Sequence, residues 1–166
     1  MIGTIRIVVV ISAMAWSHWH FVASSAVAQG VPAINDAEAM AKKTSTNLRA
    51  LHAAYWAHHE ANWNKPGREA ARSWDELQAS GLSADVRPFL EAQGYTVVLG
   101  IKYRELKHGT SDMMIAYPAK ASPFGYIAVF MDGHVGGLTE DEFKEKQQIL
   151  QSYLKKAVVV PPPKAK

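Results

Sequence analysis

Tyr126-Ile127-Ala128-Val129-Phe130-Met131-Asp132-Gly133-His134-Val135 is the stretch on which the fold turns. β-Branched and aromatic residues run up to an Asp-Gly dipeptide, and a second apolar residue follows it directly. That order predicts one strand over 125–131, a two-residue type I′ turn at Asp132-Gly133 and a return strand from His134-Val135. Side chains alternate across a strand, so Phe130 and Ala128 fall on one face of the sheet and Val129 and Met131 on the other.

Upstream, Tyr95–Tyr103 and Met113–Tyr117 carry the same composition, and Pro118 closes the second run. The links are short, so the strands should pair antiparallel as a meander of three or four. Downstream, Thr139 and Glu142 form a capping box, and Leu138 with Phe143 forms a hydrophobic staple. They open a helix whose inner side is Phe143, Leu150 and Tyr153 or Leu154, running to about Ala157. Val158–Lys166 contains Pro161-Pro162-Pro163 and reads as a polyproline-like, disordered tail with nothing to fold against.

The other large element precedes the sheet. From Asn35, an N-cap candidate with Glu38 three residues on, the chain runs free of glycine and proline to Pro66-Gly67. Leu48, Leu51, His52, Tyr55, Trp56, His59 and Trp63 fall within an arc of about 140° at 100° per residue. This face of large side chains needs a partner surface, and the sheet offers one. A short helix at 73–77 follows, with Ser73 and Glu76 as its capping box and Gly81 as its stop. The expected architecture is α+β: a long N-terminal helix packed on a 3–4 stranded antiparallel meander, with a C-terminal helix.

Composition bounds the function classes. The 166 residues are 48% hydrophobic and 20% charged, as in globular proteins, and Lys+Arg 18 against Asp+Glu 15 leaves only +3. Charges of both signs are interspersed, with no basic run of the kind nucleic-acid binding uses. The absence of cysteine removes disulfides, thiolate metal sites and cysteine nucleophiles. Residues 1–28 read as a secretory signal peptide: Arg6, an apolar run over Ile7–Ala15, and Ala26-Val27-Ala28 at the cleavage point. Trp16-Ser17-His18-Trp19-His20 interrupts the apolar stretch before it reaches the about 20 residues a membrane span wants. The expected domain is 29–157, the expected location periplasmic or extracellular, and membrane contact is expected only if the N-terminal segment stays uncleaved.

Histidine is the main candidate chemistry. His52 and His59 share a helix face but stand about 10.5 Å apart along the axis, too far to hold one ion unaided. His59-Glu60-Ala61-Asn62-Trp63 is not the His-Glu-x-x-His pattern of zinc proteases. Both histidines therefore read as part of a seam against the sheet. Asp132 could serve calcium, but six to eight oxygens are needed and few carboxylates stand near it in sequence, so the turn reading is preferred and no cofactor is expected. No nucleophile elbow and no phosphate loop is present. An enzyme is the minority expectation: a small periplasmic metal-binding protein or hydrolase using His108, His134 and Asp132.

The hairpin stretch, followed by Leu138 and an acidic helix start, resembles the C-terminal end of the type IV pilin and type II secretion pseudopilin family. The branch it resembles ends in a strand, Asp-Gly-His-Val and a strand. Asn47–Trp56 followed by Ser73-Trp74-Asp75-Glu76-Leu77 is similar to the family's long helix and short helix. Two departures stand out. The branch carries a histidine followed by nine residues and then Asp-Gly, and at that histidine's position this chain has Ser122. Prepilins carry a glutamate at the fifth position after the processing glycine, and none follows Gly3 here. The resemblance implies a noncatalytic exported protein that works through contacts with envelope or secretion-system proteins and does not polymerise in the usual way. Its signature residues here are Phe130, Asp132, Gly133, His134 and Val135.

Overall fold

The structure, a computed structural model, describes residues 34–154 and 157–161, all within the unit Pro32–Lys166. The signal-peptide segment 1–28 lies outside the described residues. The fold is α+β. Helix α1 (Ile34–Asn62) leads to α2 (Trp74–Ala79) and α3 (Val86–Ala92). Strands β1 (Tyr95–Leu99), β2 (Met114–Pro118), β3 (Tyr126–Phe130) and β4 (Val135–Leu138) precede α4 (Glu140–Gln151), and β5 (Val158–Val160) closes the chain. The sheet is antiparallel in the order β4-β3-β2-β1-β5.

Local chemistry accounts for most boundaries. Ser73 accepts the Glu76 backbone N–H, but the Glu76 carboxylate reaches back to the Arg72 N–H, so the expected capping box at α2 is displaced by one residue. Beyond α2, the Leu82 N–H bonds the Leu77 carbonyl and the Gly81 N–H bonds that of Gln78, with Gly81 at φ +98. This is a Schellman stop, completed by burial of Leu77 and Leu82. At α4, Thr139 and Glu142 form the full capping box, and Leu138 packs beside Phe143.

Three elements depart from the sequence reading. Helix α3 is absent from it; Pro88 sits in the first turn of this helix, where no backbone donor is required. The run over 95–103 pairs only as far as Leu99; Gly100 turns away at φ +80 and donates to the Ala71 carbonyl. The assignment of 158–166 to an unpacked tail is corrected at its start, since Val158–Val160 pair with Leu99–Val97. A meander of four strands thus becomes a sheet of five. Residues 162–166 lie outside the described ones.

Both faces of the sheet are covered. Ile127, Val129 and Met131 join Leu48, Leu51, Ala54 and Tyr55 of α1 in the main core. Ala128 and Phe130 point the other way and pack with Met114 and Phe143. Tyr126 stacks on Phe143 with centroids 4.1 Å apart. The alternation read from β3 therefore holds, with α1 roofing one face and α4 the other. The stripe on α1 is rotated from the expected arc: Thr44 and His58 are buried, while Trp56 and Trp63 are 42% and 65% exposed.

Candidate functional site

The hairpin carrying the signature residues closes over three residues instead of two. Val129 pairs with Val135, the Phe130 N–H bonds the His134 carbonyl, and the Gly133 N–H returns to the Phe130 carbonyl. Gly133 lies at φ +90. A turn over Phe130–Gly133 ending in a left-handed glycine is the three-residue hairpin form, which corrects the expected type I′ turn. Asp132 holds the bend from its side chain: Oδ1 accepts the His134 backbone N–H at 3.1 Å and lies 2.7 Å from His134 Nδ1. The His134 ring then stacks on Phe130, 4.1 Å between centroids.

This tip is seated on α1. His52 Nε2 donates to the Met131 carbonyl at 3.1 Å, and a Cβ placed on Gly133 would come within 2.6 Å of the His52 ring. Only glycine fits there, both for its backbone angle and for the approach of the ring. The two neighbouring histidines do similar work. His58 Nε2 donates to the Arg68 carbonyl at 3.1 Å, and His59 Nδ1 to the Glu69 carbonyl at 3.0 Å. Of the seam expected against the sheet, His52 reaches the hairpin of the sheet, whereas His58 and His59 fasten the adjacent carbonyls of the loop at 68–69. Burial holds the His59 pKa below its ordinary value; nearby Glu60 opposes this and Arg104 adds to it.

Those two loop contacts frame a carboxylate that no sequence signal revealed. Glu69 is only 2% exposed and is paired with Arg104 and, at 3.5 Å, with Lys102. A charge in a Gly- and Arg-flanked loop reads as solvated; only the chain's return at 102–104 supplies the two cations that make its burial tolerable. The same return brings Tyr103 against α1. Its ring lies 5.1 Å from that of Trp56 at 79° and 4.6 Å from that of His59. Burial raises the Tyr103 pKa well above the ordinary phenol value, and the charge of Asp132 raises it further.

Between these parts lies a cup of about 380 Å³ lined by His52, Trp56, Tyr103, Thr110, Met131 and Asp132. Helix, hairpin tip and the segment after β1 each contribute a wall. The other residues named from the sequence sit differently. Asp132 and His134 are joined, but His108 opens onto a separate cavity with Glu105, Lys107, Ser152 and Tyr153. Among the described residues, no three histidine, aspartate or glutamate side chains are grouped to hold a metal ion. Ser122, standing where the resembled branch has histidine, forms a tight turn with Gly125 ahead of β3. A second cavity, also about 380 Å³, lies along the first turns of α1 and is walled by Met40, Ala41, Tyr95, Pro118 and Ile127 among others.

No family model matches the chain, and neither the curated proteins nor the solved structures contain a significant match to it.

Proposed function

We propose that the chain is an exported, noncatalytic protein of pilin-like design that acts through protein–protein contacts at the cell envelope, with envelope or secretion-system proteins as partners. One observation carries the reading: Trp56 and Trp63 stand 42% and 65% exposed near the end of α1 that holds the hairpin tip. Large aromatic side chains are costly to leave in water and are enriched where proteins dock. The rest of the arrangement suits docking as well. His52, His58 and His59 fasten the hairpin and the loop at 68–69 to one helix, so the tryptophans project from a stiff surface. A preorganised surface loses little entropy on association.

The test places a photo-crosslinking residue at position 63, with position 148 on exposed α4 as the control, in the cells that make the protein. Docking at α1 gives a discrete adduct from position 63 and none from 148. Equal yields from both, or none from either, refute it. Amino-terminal sequencing of the exported fraction tests the export step, with Gln29 as the expected first residue; an intact Met1 would make the protein membrane-anchored.

A further inference from the structure

The cup at the hairpin tip has walls of one definite chemistry. Trp56 and Tyr103 meet nearly at right angles, so their rings form a corner and do not stack on one another. Asp132 is the single charged residue in the lining. The neighbouring cations, Lys102 and Arg104, are held on Glu69, and neither lines the cup. Aromatic faces beside a carboxylate attract a cation. The Tyr103 hydroxyl is buried and makes no hydrogen bond among the described residues.

The oxygens decide which cation. Both bonds to the Asp132 carboxylate fall on Oδ1, one from the His134 backbone and one from its ring. A guanidinium fork is best met by two free carboxylate oxygens, and here one is taken. A quaternary ammonium has no N–H to offer and favours an aromatic enclosure, whereas half of this lining is Thr110, Asp132 and His52. A primary ammonium fits: its compact head carries three donors, enough for Asp132 Oδ2 and the Thr110 hydroxyl. An apolar stem would lie along the Trp56–Tyr103 corner, as lysine stems do on apolar surfaces. A volume of about 380 Å³ has ample room for such a side chain. We propose that the cup receives the ammonium group of a lysine side chain presented by the partner protein, a proposal that rests on the docking reading above.

The experiment titrates the whole exported chain with Nα-acetyl-lysine methylamide, its neutral norleucine counterpart, the arginine counterpart and choline. NMR follows the Trp56 indole, Thr110 and His52. Saturable shifts confined to these residues are expected, with lysine binding more tightly than arginine, choline or norleucine. Asp132→Asn keeps an oxygen for the His134 N–H and so keeps the bend, yet should weaken lysine about tenfold. Trp56→Ala should weaken it about two- to fivefold. Norleucine binding as well as lysine, arginine or choline binding more tightly, absence of saturable shifts, or an unchanged affinity in Asp132→Asn each overturns the proposal, whatever cross-linking at position 63 gives. A missing adduct at position 63 with the lysine preference intact overturns the docking reading and leaves the cup's selectivity standing.

Discussion

Replacing Gly133 by alanine probes the joint between hairpin and helix, because two separable costs meet at one atom. The first is backbone strain: φ is +90, and an L-residue there costs about 1–2 kcal/mol. The second is steric. The new Cβ would lie 2.6 Å from His52 Cε1 and 2.7 Å from Nδ1, so the ring must move. Moving it breaks the 3.1 Å bond to the Met131 carbonyl, worth about 0.5–1.5 kcal/mol. The sum is about 1.5–3.5 kcal/mol. Gly109 supplies the control: φ is +92, but a Cβ there meets nothing within 4 Å, so Gly109→Ala incurs strain alone. Urea unfolding followed by circular dichroism measures both. In a His52→Ala background the clash is gone, and Gly133→Ala should then cost no more than Gly109→Ala. The coupling in this double-mutant cycle should be about 1 kcal/mol. Equal costs for the two glycines in the wild-type background, or an unchanged Gly133→Ala cost after His52→Ala, would refute the seating of the tip on α1.

Other expectations follow from burial and pairing. Leu51→Ala and Val129→Ala, at two positions with no exposed surface, should each cost about 2–4 kcal/mol in the same assay, whereas Trp63→Ala should stay within about 0.5 kcal/mol. Ending the chain after Ala157 removes the pairing of Val158–Val160 with β1 and the packing of Val160, and should cost about 1–3 kcal/mol with β1 amides newly open to hydrogen exchange. Burial raises the Tyr55 pKa above its unfolded value of 10.0, so above about pH 10 the unfolded chain loses a proton that the folded chain keeps. Stability should therefore be unaffected by this group below pH 10 and fall above it by about 1.4 kcal/mol per pH unit until the folded group also titrates. Tyr55→Phe should lessen the alkaline slope by that one group's share, because burial raises Tyr95 and Tyr103 in the same direction. It should also cost about 1–3 kcal/mol at neutral pH, because the hydroxyl bonds both the carbonyl and the N–H of Ile101. An unchanged alkaline slope in Tyr55→Phe would show that another group drives it.

Much of the fold was legible because its cues are local. Thr139 and Glu142 announce α4 by reciprocal bonds that span three residues, and the same box forms in the structure. The alternation along β3 assigns Val129 and Phe130 to opposite faces, and they lie in separate clusters. The Asp-Gly bend was recognisable, but its length was not. Whether such a dipeptide closes over two residues or three depends on strand register, and the pairing of Val129 with Val135 decides it. Helical spacing placed Trp56 and Trp63 on the covered face. Hydrophobic periodicity locates an apolar stripe to within a residue or two, but the covering elements choose its centre, and here they favour Thr44 and His58.

From the amino-acid order alone came the starts of α2 and α4, the hairpin and the α+β class, all governed by interactions within a few residues, whereas Asn35, the N-cap expected for α1, lies inside that helix. Tertiary structure decided what lies far apart in the chain. It paired Val158–Val160 with β1 across a proline-rich composition that suggested a loose end. It buried Glu69 by bringing Lys102 and Arg104 to it, and it assembled the cup from positions 52, 56, 103, 110, 131 and 132. Such meetings depend on the packing of distant surfaces, and no window of a dozen residues contains the groups that meet.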